Sequence, residues 1–212
     1  MNRIAPRAFS RRAVLGGLCL LATRPAFAAS VSPAGKRLAA LLDSFEVEKH
    51  WIAGVAIDWE SGEPSGKPVS AKGKHTHCSA FVAAAAKRLG VYILRPPEHG
   101  QTLLANAQFE WLASDGAAQG WRAVADPLAA QDLANRGSLV VVAYHNHYDN
   151  MPGHIAIVRP GDADSARIMA EGPRIAQAGT RNFSNVSMRE GFAGHPAAWK
   201  RQEARFFAHA LS

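Results

Sequence analysis

The spacing of apolar residues predicts helices in the first part of the chain. Leucines recur at three- and four-residue intervals over residues 38–45, which indicates a helix beginning at Pro33 after the N-cap residue Ser32. A second helical pattern follows Cys78 and extends to about residue 89. Residues 101–136 are also predicted to be mostly helical. The first half of the domain is therefore expected to be helical.

The later part of the chain predicts strands. Leu139–Ala143 is a continuous β-branched run, as in a central strand covered on both faces. Shorter apolar segments predict further strands at 154–158, 167–170, 174–177 and 205–207. Helices followed by an antiparallel-looking sheet are typical of an α+β domain with N-terminal helices packed on a central sheet.

The first 28 residues have the composition of an export signal. Arg11-Arg12 begins a twin-arginine pattern, the apolar run 13–22 follows, and Ala26-Phe27-Ala28 fits a cleavage site. The apolar run is too short for a stable membrane anchor. We therefore expect a signal peptide over 1–28, a single domain over 29–212, recognition by the twin-arginine export machinery, and a periplasmic or extracellular location.

The net charge does not indicate a nucleic-acid partner. The formal charge is +7, but the signal segment contributes five arginines and no acidic residue, so its removal leaves +2. No basic stripe interleaved with aromatic residues remains, and we expect no nucleic-acid binding.

Cys78 is the only cysteine outside the signal segment. Its predicted place at a helix N-terminus favours a thiolate, because unpaired amides and the positive end of the helix dipole lie there. An oxidising destination and the lack of a disulfide partner favour a nucleophile. The alternative is a small buried apolar residue.

A thiol nucleophile needs an imidazole and a polar group that orients it. His154 opens a predicted strand directly after Pro152-Gly153, where its backbone is held by the sheet. Gln177, at the end of the predicted strand 174–177, is expected to orient His154, with Glu171, at the end of the predicted strand 167–170, as the alternative.

Four more residues are expected to contact a ligand. His77 precedes the cysteine, and Trp51 begins a partly alternating segment that ends at Trp59 and fits either a short strand or the wall of a groove. Asn106 and Trp111 lie in the predicted helical region, where an amide and an indole suit either a polar ligand or helix packing.

A metal site is the competing interpretation. His75, His77 and Cys78 lie together, and His145 and His147 form a second His-x-His pair, a spacing used by zinc and copper sites. No HExxH or CxxC motif accompanies them. In the preferred interpretation the protein needs no metal and no other cofactor.

Three short blocks of the sequence resemble the NlpC-type cell-wall cysteine peptidases and the related CHAP (cysteine, histidine-dependent amidohydrolase/peptidase) group. Cys78-Ser-Ala-Phe-Val82 is similar to their Cys-Ser-Gly-Phe-Val signature, and Gly137-Ser-Leu-Val140 to their Gly-Asp-Leu-Val strand entry. Gly153-His-Ile-Ala-Ile-Val158 resembles the strand that carries their catalytic histidine, and Gln177 occupies the place of their third polar residue.

The resemblance implies a papain-like α+β fold and hydrolysis of amide bonds in peptidoglycan stem peptides, with peptidoglycan or muropeptides as substrate. The chain departs from the family pattern at His77, where an aspartate is common, and in a longer segment between Cys78 and His154. Acyl transfer on the same fold and a metal-binding periplasmic module are the alternative functions.

Overall fold

The computed structural model describes residues 30–69, 75–148 and 150–211, so the predicted signal peptide lies outside the described residues. The helices are α1 (Pro33–Ser44), α2 (Cys78–Arg88), α3 (Leu104–Ala113), α4 (Pro127–Asn135), α5 (Ser165–Glu171), α6 (Met188–Gly191) and α7 (Pro196–Lys200), and a short 3-10 helix spans Asp115–Gln119. The strands are β1 (Trp121–Val124), β2 (Leu139–Tyr144), β3 (His154–Val158), β4 (Arg174–Gln177), β5 (Phe183–Ser187) and β6 (Arg205–His209). In these ranges no helix combines the length and apolar character that crossing a membrane requires.

The six strands form one antiparallel sheet in the order β1-β6-β2-β3-β4-β5. With helices packed on this sheet, the predicted α+β class is confirmed. The strands β2 and β3 lie at the centre, where Tyr144 pairs with His154 at the ends of the two strands. This end of the sheet carries the residues that sequence analysis selected for chemistry.

Both faces of the sheet are covered, because side chains of β2 alternate between two cores. Leu139, Val141 and Ala143 pack into the core that includes residues of α1, α2 and α3. Val140 and Val142 pack into the opposite core, which includes residues of α4, α6 and α7. A strand buried on both faces has the continuous apolar run that predicted it.

Helix starts agree with the capping residues in the sequence. The Ser32 hydroxyl accepts a hydrogen bond from the amide of Gly35 at 3.0 Å, and the Asp126 carboxylate accepts one from Ala129 at 2.8 Å. Each satisfies an amide that has no partner within the helix. The predicted start of α1 is confirmed, α2 begins at Cys78 as expected, and α4 begins at Pro127 after its N-cap Asp126.

One prediction of secondary structure is wrong. Residues 167–170 belong to the helix α5, whose N-cap Asp164 accepts a hydrogen bond from the amide of Arg167 at 2.8 Å. Of the two alternatives for residues 51–59, the strand does not form, because the segment consists of turns with one isolated bridge at Ile57, whereas residues 55–59 line a cavity. The region 101–136 is mostly helical, as predicted, and also contains β1.

Candidate active site

Cys78 is the first residue of α2, and its thiol is buried with 4 % of the residue exposed. Burial has the largest effect on the thiol and raises its pKa above the ordinary value, while the nearby backbone amides of Ile155, Ser79 and Cys78 lower the pKa by smaller amounts. The resting group is therefore a neutral thiol held between the first turn of α2 and the first residues of β3.

His154 is the first residue of β3 and is also buried. Its Nε2 lies 2.8 Å from Oε1 of Gln177, at the end of β4. Burial lowers the pKa of this imidazole, and the hydrogen bond with Gln177 raises it by a smaller amount. The ring is thus neutral at rest but held in one orientation.

The amide of Gln177 has a fixed orientation, because its Nε2 donates to the carbonyl oxygen of Arg181 at 3.2 Å. This leaves the oxygen of the amide to face His154, so the Nε2–H of His154 is the donor in that hydrogen bond. The neutral tautomer then has a lone pair on Nδ1, the nitrogen that can accept a proton. The alternative residue, Glu171, instead pairs with Arg167 through Nε at 3.1 Å.

The thiol and the imidazole meet β3 at neighbouring residues. Ile155 packs into the core that contains α2, whereas Ala156 packs into the opposite core, and strand alternation puts His154 on the side of Ala156. Cys78 contacts the strand through the amide of Ile155. Within the described residues, no hydrogen bond joins the thiol to the imidazole.

A cavity of about 300 Å³ opens beside the imidazole. Its wall includes Thr76, His154, Gln177, Arg181, Glu190 and His195. Thr76 lies two residues before Cys78, so the wall also includes the chain leading into α2. Three larger cavities, of about 490, 700 and 410 Å³, lie elsewhere and are lined by neither His154 nor Gln177.

Two aromatic rings that sequence analysis did not select enclose His154. Phe192 meets the imidazole edge-on, with ring centroids 4.6 Å apart. His195 stacks on it with centroids 5.2 Å apart and an angle of 12° between the planes. Both follow β5 by several residues, and no local motif marks them.

Asn106 is a buried residue that holds the loop before His154. Its Oδ1 accepts hydrogen bonds from the amides of Gly153 at 2.8 Å and Asn146 at 3.2 Å, and its Nδ2 donates to the Met151 carbonyl at 3.0 Å. In the structure Asn106 therefore fixes the loop next to the imidazole.

The three other expected ligand residues lie in or against the cores. Trp51 is 1 % exposed and packs against Phe81, so its indole offers no surface to a ligand. Trp111 is half-buried and meets Tyr92 edge-on. His77 is buried, and burial is the main cause of its lowered pKa.

The histidine pairs of the metal alternative have separate partners. His77 bonds the Val55 carbonyl through Nε2 at 2.8 Å, and His145 bonds Glu110 at 2.9 Å. His147 pairs with a different carboxylate, that of Glu203. Across residues 30–69, 75–148 and 150–211, no group of three or more His, Cys, Asp or Glu residues is arranged to hold a metal ion.

Comparison with known proteins does not assign the chain to a family. The chain matches no protein-family model. A search of curated proteins finds no match either.

Proposed function

We propose that the protein is an exported cysteine amidase or endopeptidase that hydrolyses amide bonds in peptidoglycan stem peptides. Cys78 is the nucleophile, His154 the general base and acid, and Gln177 the residue that orients His154. The substrate class comes from the resemblance to NlpC-type peptidases in the blocks around Cys78 and His154. The proposal includes a papain-like arrangement of the observed antiparallel sheet and the helix that begins with the nucleophile.

One observation carries the proposal: a buried imidazole, oriented by an amide, starts the strand whose next amide contacts the only cysteine of the described chain. The distance between Nε2 of His154 and Oε1 of Gln177 is 2.8 Å, and the Gln177 amide is itself fixed by Arg181. Any buried histidine needs a partner for its N–H. The fixed orientation of that partner suits a general base in particular, because proton transfer depends on ring orientation.

The reaction has two steps. At rest the thiol and the imidazole lie on opposite sides of β3 with no hydrogen bond between them, so substrate binding must first bring them together. His154 then takes the thiol proton at Nδ1, and the sulfur attacks the carbonyl carbon of the scissile amide. Backbone amides at the start of α2 stabilise the developing oxyanion. The imidazolium gives its proton to the leaving amine, which leaves a thioester on Cys78. Water then attacks the thioester with His154 as base, releasing the carboxylic acid and restoring the thiol.

The buried resting state affects the energetics of the first step. Because burial raises the thiol pKa and lowers the imidazole pKa, proton transfer between them is unfavourable until a substrate is bound. The pair of Cys78 thiolate and His154 imidazolium is stabilised by the three amides around the sulfur and by Gln177. We therefore expect substrate binding and formation of the ion pair to be coupled.

The decisive experiment digests purified muropeptides with the protein lacking residues 1–28 and identifies the products by mass spectrometry. We expect Cys78→Ala and His154→Ala each to abolish cleavage while circular dichroism shows a retained fold. His99→Ala, which removes an imidazole from the turn before α3, is the matched control and should cleave normally. Full activity of Cys78→Ala would refute the proposal.

Alkylation by iodoacetamide tests the role of His154 without a substrate. Near neutral pH the resting Cys78 thiol, although neutral, should react faster in the wild type than in His154→Ala, because the imidazole accepts its proton as the sulfur attacks the reagent. Equal rates would contradict the assigned base. Stoichiometric zinc or copper in protein purified without a histidine tag would instead favour the metal-binding alternative.

The export proposal has its own test. Replacing Arg11 and Arg12 with lysine in the full chain should retain the protein in the cytoplasm, since the twin-arginine machinery reads that pair. Fractionation of the cells measures the change. Unaltered export would contradict the proposed route.

A further inference from the structure

His195 is the second imidazole at the proposed site. It precedes α7, and its ring lies parallel to that of His154, with centroids 5.2 Å apart and planes 12° apart. The two rings differ in their access to water, because His154 is buried and His195 is half-buried. The stacked pair therefore extends from the buried end of β3 to the cavity whose wall includes both rings.

The backbone around His195 holds it in this position. Its amide donates to the Phe192 carbonyl at 2.8 Å, and its carbonyl accepts from Ala198 at 3.0 Å. The Tyr144 ring meets the imidazole of His195 with centroids 5.6 Å apart. Since Phe192 also contacts His154 edge-on, the two residues that enclose the imidazole come from one short fixed segment.

Stacked imidazoles interact through their charges as well as their surfaces. A neutral ring against an imidazolium stabilises that cation, as other aromatic faces do. Two stacked imidazoliums repel, and burial strengthens the repulsion because less water screens it. On acidification the half-buried ring takes a proton more readily than the buried one.

We propose that His195 is a positioning residue that controls the proton affinity of His154. While His195 is neutral, it supports the imidazolium form of His154; once it is protonated, it disfavours that form about tenfold. The consequence for catalysis rests on the proposed function: activity would decrease at acidic pH when His195 is protonated.

Other charged and titratable groups face His195 and belong to the same electrostatic site. Tyr144 from β2 and His154 from β3 contact its ring, and Arg181 and Glu190 line the same cavity. Tyr144 in turn interacts with Glu203, Arg201 and His147. The arginines and glutamates among these groups keep their charges around neutral pH, and the tyrosine stays neutral. A titration step near pH 6 is therefore assigned to the imidazoles.

The test measures protonation directly and needs no substrate. In a Cys78→Ser background, NMR titration of the imidazole carbon-bound protons gives the pKa of His154 with and without His195→Phe. Phenylalanine keeps a flat ring on His154 but carries no proton. We expect the His154 pKa to rise by about one unit in this variant, the effect of one charge at about 5 Å under intermediate screening.

His195→Gln is the second variant, in case the larger ring of phenylalanine disturbs the fold, and it should shift the pKa in the same direction. His99→Phe is the control for loss of a histidine elsewhere and should leave the His154 titration unchanged. An unchanged His154 pKa in folded His195→Phe and His195→Gln would overturn the proposal.

The pH profile of kcat/KM separates this proposal from the proposed function. With muropeptides as substrate, the acid limb of the wild type should follow the first protonation of the histidine pair, whereas in His195→Phe it should lie at lower pH and coincide with the His154 pKa that NMR gives for the same variant. An acid limb that does not move would also overturn the proposal. A shifted NMR titration without any muropeptide cleavage would leave the histidine coupling established and remove the peptidase assignment.

Discussion

Truncation of Gln177 tests the orientation of His154 with a single change. In Gln177→Ala the Nε2–H of His154 loses its acceptor at 2.8 Å, and the carbonyl of Arg181 loses its donor at 3.2 Å. Both groups are partly or fully buried, so water does not readily replace the lost amide. The imidazole is then free to rotate about its χ2 angle.

The size of the effect follows from the hydrogen bond that is lost. A hydrogen bond to a charged group contributes about 1.5–3 kcal/mol, and the imidazolium that forms during catalysis is such a group. Because the hydrogen bond contributes this energy only when the imidazole is charged, its loss should decrease kcat/KM by roughly 10- to 150-fold. The pKa of His154 should fall further below its ordinary value, because Gln177 is the group that raises it.

The assay compares kcat/KM for muropeptide cleavage with the free energy of unfolding from urea titration. Glu171→Ala is the matched control, because Glu171 is the other sequence candidate and the structure pairs it with Arg167 at the surface. We expect this variant to keep wild-type activity. If Gln177→Ala cleaved within twofold of the wild type while His154→Ala was inactive, the orienting role of the amide would be refuted.

Three further predictions concern stability. In Gly153→Ala the new Cβ would overlap the Tyr144 carbonyl and Asn106 Oδ1, so urea unfolding should show a loss of about 2–3 kcal/mol. Asn106→Ala removes three hydrogen bonds from the loop before His154 and should lose about 3 kcal/mol in the same assay. Burial lowers the pKa of His77 and His154, so the unfolded chain binds more protons in acid. The free energy of unfolding should therefore be constant above about pH 7.5 and fall as the pH drops through about 6.5.

Each of these has a result that would contradict it. Wild-type stability of Gly153→Ala would mean that the loop and β2 can separate without cost. Unchanged unfolding of Asn106→Ala would mean that water replaces its three bonds. A constant urea midpoint from about pH 7.5 to 5 would mean that both histidines accept protons in the folded state.

Helix starts were predictable because their causes are local. Ser32 and Asp126 each cap the amide three residues later, and proline follows each of them. The helix α5 shows the limit of this approach. Only Ile168 of its seven residues is buried, so apolar residues do not repeat at a helical spacing. The helix is indicated instead by its N-cap residue, Asp164.

The edge strands were not predictable from local pattern. The strand β1 has only four residues, and Trp121 is the only one of them that is fully buried. Four residues are too few for a distinctive alternation of apolar and polar side chains. Its structure comes from pairing with β6, far along the chain. The strand β5 was missed for the same reason, since its buried residues are confined to its end.

The candidate site was predictable in its residue types but not in its contacts. Cys78 and His154 were visible because each begins an element with a strong apolar pattern. The choice between Gln177 and Glu171 depended on whether residues 167–170 form a strand. They form a helix instead, which begins after the N-cap residue Asp164. His195 had no signal at all, because its contact with His154 spans 41 residues.

The sheet order has a consequence for how the chain reaches this structure. The strands β2 and β3 are joined by a loop of a few residues, so their pairing closes early. Among the described strands β1 pairs only with β6, and Trp121 and His209 in that pair are 88 positions apart. A nascent chain that has not yet reached residue 205 therefore exposes the edge of β2 and leaves β1 unpaired. Exposed edges of this kind pair with other chains. Protection from aggregation thus begins only when the last strand has been synthesised.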